Sequence, residues 1–267
     1  MRFGLHVPQL GALGEPGALV ELARLAEGAG WDGVFLWDHL MHAGDPPACD
    51  PWVALGAIAA MTTRIVLGPL VTPLPRRRPW KVAREAVTLD RLSNGRAVLG
   101  VGIGTDSYRE FSAFGEEARD DRTRGARLDE ALAVITALWR GERVRHAGAH
   151  WTVDDVVQTP TATQVPRVPI WCAAIWPHGA PMRRAARWEG IVPVGRLTPD
   201  DAGALLAEVH RVRTVATPFD LVVPSAAATT TVSEYDQAGA TWWLHSLSPS
   251  SSLAQHQAVV EDGPPGV

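Results

Sequence analysis

VFLWDHL (residues 34–40) passes from an unbroken apolar run straight into Trp37, Asp38 and His39. If the run is a strand, a carboxylate and an imidazole arrive where the chain leaves the sheet. In a barrel of parallel strands that place, the carboxyl end, is where catalytic groups gather. The same arrangement recurs along the chain.

Short runs rich in Val, Ile, Leu and aromatics also occur at Phe3–Val7, Ile65–Leu67, Ala97–Val101, Val168–Cys172, Gly190–Val194, Phe219–Val223 and Thr241–His245. With Val34–Trp37 they make eight candidate strands. Continuous apolar runs, rather than strict alternation, suit parallel strands covered on both faces.

Helical segments separate them. Ala18–Ala29 sets Leu19, Leu22, Ala23, Leu25 and Ala26 on one face, with Gly28 and Gly30 as exits. Pro51–Thr62, Trp80–Leu92, Thr123–Arg140, Ala180–Trp188, Asp200–Arg213, Val232–Ala238 and Ser252–Glu261 follow. Leu92-Ser93-Asn94-Gly95-Arg96 reads as a helix-to-strand turn, because Asn and Gly tolerate the left-handed conformation. Eight strands alternating with eight helices predict a (β/α)8 TIM barrel forming a single domain over residues 1–267. A doubly wound open sheet is the alternative.

One connection is enlarged. From Val101 to Val168 the chain far exceeds the ~30 residues of a plain βα unit. The excess lies at Asp106–Asp121 and Gly141–Arg167, the latter reading as a hairpin or lid with a Pro-rich return. Long loops inside compact domains are usually functional.

The 267 residues, 46% apolar and 20% charged, suit a soluble protein with a sizeable core and exclude a disordered chain. Net charge is −4 and the arginines are dispersed, which gives no support to a nucleic-acid or anionic-membrane partner. No apolar stretch approaches the ~20 residues of a membrane span. RFGLHVP (2–8) is too short for a signal-peptide core. Cys49 and Cys172 stand far apart, without metal spacing, so neither a disulfide framework nor a metal site is expected. A cytoplasmic location follows as the expectation.

Several segments, in order, carry a resemblance. They are FGLHVPQ (3–9), LAEGAGWDGVFLWDH (25–39), TTRIVLGPLVTPLPRRRP (62–79), KVAREAVTLDRLSNGRAVLGVGIG (81–104), RLDEALAVITALWRGERV (127–144) and VPIWCAAIWPHGAPMRRAARWEGIVP (168–193), with a weaker echo in AGATWWLHS (238–246) and GPP (263–265). The chain resembles the luciferase-like oxidoreductases, (β/α)8 proteins that apply reduced flavin, or the deazaflavin coenzyme F420, to small organic molecules.

The resemblance implies roles for residues at the strand ends. His39 would exchange a proton beside the coenzyme ring, with Asp38 orienting it; His is suited because its unperturbed pKa lies near neutrality. A helix-capping or loop-bonding role is the alternative for His39. Leu70–Val71 matches a non-prolyl cis peptide that backs the ring in deazaflavin-binding members, against plain strand continuation, and Pro69 before it is a local departure. Gly100, Gly102 and Gly104 fail the G-x-G-x-x-G register, so they are read as small residues that let the chain approach a flat ring. Gly102, Gly104 and Thr105 are cofactor candidates. Some members carry a carboxylate where this chain has Thr105, for which Asp106 is a substitute.

The turn from Ala173 to Ala180 matches the family's phosphate-binding region, with Ala174, Trp176, His178 and Gly179 as cofactor contacts, against a simple tight turn. Arg76, Arg77 and Arg78 form either a solvated face or an anion contact. Arg183, Arg184 and Arg187 are expected to meet solvent or neighbouring acids. His6, Trp37, Cys172 and His245 are candidate pocket residues, and Trp242 and Trp243 are wall or core.

The functional expectation is hydride transfer between coenzyme F420 and a small-molecule substrate. The alternative is a reduced-FMN monooxygenase supplied by a flavin reductase, in which the pocket excludes water from a reactive oxygen adduct. A catalytically degenerate flavin-binding homologue is a third reading. A metal-dependent hydrolase lacks its His-x-His on strand one. A homodimer is the expected assembly.

Overall fold

A computed structural model of the chain describes residues 1–116, 120–225 and 232–265. Eleven strands form: β1 (Arg2–Val7), β2 (Gly33–Leu36), β3 (Val66–Pro69), β4 (Thr72–Pro73), β5 (Leu99–Gly102), β6 (Val144–Ala147), β7 (Thr152–Val156), β8 (Ile170–Ala174), β9 (Gly190–Pro193), β10 (Asp220–Ser225) and β11 (Trp242–Ser246). Between and after them lie α1 (Pro16–Gly28), α2 (Pro51–Met61), α3 (Pro79–Leu92), α4 (Asp121–Leu138), α5 (Gly179–Ala185), α6 (Pro199–Val212), α7 (Val232–Gln237) and α8 (Leu253–Glu261).

Nine strands form one sheet in the order β3-β2-β1-β11-β10-β9-β8-β5-β4, and every pairing in it is parallel. β3 and β4 are halves of one stave interrupted at Leu70–Val71, where the peptide bond is cis. Closure follows from that stave: β3 pairs with β2, β4 pairs with β5, and Val98 N–H donates to the Leu67 carbonyl at 2.9 Å. The result is an eight-stave (β/α)8 barrel, and the open sheet is excluded.

Local chemistry sets the helix starts. Pro16, Pro51, Pro79 and Pro199 open four helices, where proline's fixed φ helps and its missing N–H costs nothing. Asp50, Asp120, Thr198 and Ser252 cap helices by accepting from backbone N–H groups, the last two in capping boxes.

Phe35, Trp171 and Trp242 fill the barrel interior, with ring centroids 5.2 to 5.6 Å apart. Rings this large require small neighbours. A Cβ on Gly33 would fall 2.6 Å from Phe35, and one on Gly190 would fall 2.4 Å from Trp171. The larger apolar layer lies between the staves and the helices.

The enlarged connection contains the expected hairpin, antiparallel β6–β7. It is pinned rather than loose: Glu130 of α4 accepts from the N–H groups of His150 and Trp151 and pairs with His146 at 3.0 Å. The Pro-rich return is anchored in turn by buried Asp90, which accepts from Thr163, Gln164 and the Gln164 amide.

Candidate active site at the barrel mouth

Alternation along each strand decides which side chains face the barrel axis. On β1 these are Gly4 and His6. On β8 they are Trp171 and Ala173, and on β11 Trp242, Leu244 and Ser246. His6, Trp37 and the Leu70–Val71 peptide accordingly meet at the carboxyl ends of the staves. His6 Nε2 donates to the Leu70 carbonyl at 2.9 Å, and Ser246 Oγ lies 3.4 Å from its Nδ1. Burial pushes the His6 pKa down to about 4, so the ring is neutral near pH 7.

Trp37 packs on His6 at 5.6 Å and on His39 at 5.8 Å. His42 and Tyr108 extend the wall, their rings 4.5 Å apart. His39 is 26% exposed, and its Nδ1 lies 3.1 Å from Glu110 Oε2, a carboxylate only 1% exposed. Burial alone would raise the Glu110 carboxyl. His39, Arg76 (3.7 Å away) and the Leu40 N–H outweigh it and hold the group below its ordinary value. Gln9 fixes the loop by donating to the His39 carbonyl at 2.7 Å.

This geometry corrects the expectation that Asp38 orients His39. Consecutive residues at a strand end point to opposite sides, so His39 faces the mouth and Asp38 turns into the helix layer. Asp38, 1% exposed, accepts from Thr72 at 2.6 Å and from Arg76 and Arg77 at 3.1 and 2.9 Å. Trp52 Nε1 donates to Thr72 Oγ1 and completes the network. Arg76 and Arg77 are therefore turned inward, and only Arg78 is exposed. Asp106 does not substitute for a missing carboxylate. Its oxygen accepts from Phe111 and Ser112 N–H and caps the following turn, while Thr105 Oγ1 bonds Ser107. Glu110, which sequence reasoning did not single out, is the acid that reaches the imidazole.

The same alternation overturns three pocket or cofactor assignments. Cys172 is 0% exposed and packs between barrel and helices, where burial pushes its thiol up to about 12. Ala174 points the same way and is buried, so Ala173 is the residue of β8 that faces the axis. His245 packs between Trp31 and Trp243 outside the staves, leaving Ser246 at the mouth. Trp243 shares that outer layer, whereas Trp242 lies inside.

Small residues stand where a flat ring would lie. A Cβ on Gly102 would sit 2.8 Å from Val71 Cγ2 and 3.4 Å from Ala173 Cβ, and Gly104 adopts φ +73°. Trp37 Nε1 is buried and takes no hydrogen bond among the described residues, which leaves one donor on the pocket wall. A planar coenzyme ring fits these features. In the turn leading to α5, Trp176–Pro177 is cis. His178 and Gly179 are exposed at the beginning of α5. Arg184 and Arg187 pair with Asp129 at 2.8 Å, as expected of neighbouring acids.

The chain is similar to several known proteins. The F420-dependent glucose-6-phosphate dehydrogenase of Microbacterium testaceum is 38% identical over 188 residues, which cover 68% of this chain and 52% of that one. The chain thus spans about half the length of the curated relatives it matches. An F420-dependent secondary alcohol dehydrogenase, solved with an F420-acetone adduct, superposes with a TM-score of 0.82 over 99% of this chain and 98% of its own, at 16% identity. A monooxygenase from Streptomyces bottropensis gives a TM-score of 0.74 at 25% identity, over 90% of this chain and 75% of its own. The family model described as luciferase-like monooxygenase matches residues 1–259, and the chain belongs to that family.

Proposed function

We propose that the chain is an oxidoreductase that transfers hydride between coenzyme F420 and a small organic substrate. The observation carrying this reading is the His39–Glu110 pair at 3.1 Å, joined through Trp37 and His6 to the Leu70–Val71 bulge. Similarity to F420-dependent relatives supports the deazaflavin over other coenzymes.

Leu70, Val71, Gly102 and Gly104 would hold the ring, and Thr105, Trp176, His178 and Gly179 its attached chain. The deazaflavin supplies the carbon that carries hydride. His39 handles the proton that moves with it: Glu110 holds Nδ1, and Nε2 takes no hydrogen bond among the described residues. Buried neutral His6 buttresses the Leu70 carbonyl and stays out of proton exchange at neutral pH. Trp37, His42 and Tyr108 wall the substrate from water.

The proposal includes a homodimer, which sedimentation of the purified protein tests, and a cytoplasmic location, which cell fractionation tests. Oxidised F420 mixed with a panel of alcohols and phosphorylated sugars should lose its visible absorbance in the presence of enzyme. His39→Ala should bind F420 and fail to turn over. Turnover only with reduced FMN, oxygen and a flavin reductase would replace this reading with the monooxygenase one. Binding without turnover in every assay would favour a degenerate homologue.

A further inference from the structure

Beside the Asp38–Arg76–Arg77 network a cavity of about 300 Å³ opens between the start of α3, α4 and the β6–β7 hairpin. Arg76, Arg77 and Arg78 form one wall, Arg127 and Glu116 the opposite one, and His150 and Trp151 close it. We propose that this cavity binds an oxyanion, the phosphate or carboxylate of a small molecule.

Charge and unmet hydrogen bonding both favour it. Among the described residues four guanidinium groups face three carboxylates, Asp38, Glu110 and Glu116, a surplus of positive charge even with His150 neutral. Arg76 is 4% exposed and uses Nη2 on Asp38 and Glu110, but its Nε and Nη1 are buried without a hydrogen-bond acceptor among the described residues. Arg77 Nε and Arg127 Nε are in the same condition. Buried donors are normally satisfied, so four on three arginines around one cavity mark a place short of acceptors. An oxyanion supplies several, and planar guanidinium groups match its geometry.

Arg78 sits at the rim with its guanidinium 5.6 Å from the Trp151 ring centroid, held where it can close over an occupant. Among the described residues Glu116 is the carboxylate on the opposite wall, 3.4 Å from Arg127. The volume exceeds that of a bare phosphate and reaches the lower end of small-molecule sites.

The test does not depend on the deazaflavin reading. Inorganic phosphate is titrated into the cofactor-free protein by calorimetry, and the wild type should bind saturably. Arg127→Gln and Arg78→Gln should each weaken binding about tenfold, the loss of one charge-assisted hydrogen bond, with unchanged melting temperatures. His178→Ala, at the α5 turn, should leave the affinity unaltered. A repeat with saturating F420 identifies the source: exclusion of phosphate means the coenzyme's own anionic chain occupies the cavity, and unchanged binding means a separate anionic molecule does. No saturable binding overturns the proposal, as does loss of binding in His178→Ala but not in Arg127→Gln.

Discussion

Replacing His6 with Gln should flatten the acid limb of the protein's stability. The imidazole is neutral and buried, with Nε2 donating to Leu70 and Nδ1 facing Ser246. Burial brings its folded-state pKa to about 4, against 6.5 for the free side chain. Because the folded value is depressed, the unfolded chain takes up the proton first. The stability this group contributes is complete above pH 6.5 and is lost as pH falls toward 4. Linkage gives a loss of about 2 kcal/mol by pH 5 and about 3 kcal/mol by pH 4. Glutamine keeps a donor for Leu70 but cannot titrate. Glu27 and Glu130, whose hydrogen bonds hold them below their ordinary values against the effect of burial, also lose stability in acid, but equally in both proteins. Urea unfolding followed by tryptophan fluorescence at pH 7, 6, 5 and 4.5 therefore isolates His6 as the difference between two curves. Wild type and variant should converge by about 2 kcal/mol between pH 7 and 5. Parallel curves would refute the buried, neutral assignment.

Three further outcomes follow from contacts at the site and in the frame. Glu110→Gln removes the charge facing His39 and should lower kcat about a hundredfold with F420 affinity nearly unchanged; an unaltered kcat would remove Glu110 from the mechanism. Gly68→Ala would place a Cβ 2.0 Å from the Val98 carbonyl oxygen, at the seam where β3 meets β5, and should cost about 3 kcal/mol in urea denaturation. Arg96 donates to the carbonyls of Ala59, Thr62, Ile65 and Ser93 and to Thr62 Oγ1; Arg96→Lys replaces that planar fork with a point charge and should destabilise by about 2 kcal/mol, seen as a lowered Tm.

The barrel was legible because its signals are local. Unbroken apolar runs marked seven staves within about two residues at each end but only the first half of the stave that resumes as β4, and prolines with Asn94–Gly95 punctuated the helices. Facing was less legible. Cys172 and His245, expected to end their strands, lie inside β8 and β11 and point outward, because register against neighbouring strands determines which alternate residues reach the axis. Glu110 escaped notice for a different reason. It lies in an irregular loop among Asp106, Glu116 and Asp120, where no period separates a carboxylate that caps a turn from one that folds under an imidazole. The inward turn of Arg76 and Arg77 depended likewise on Asp38 facing the helix layer, which the charge run does not encode.

Anaerobic titration of the purified protein with reduced F420 and, separately, with reduced FMN tests the central claim most directly. Absorbance and fluorescence report binding to the mouth bounded by Leu70, Val71, Gly102 and His39. Saturable binding of the deazaflavin with clear preference over FMN is the predicted result. Preference for reduced FMN, or binding of neither, would contradict it.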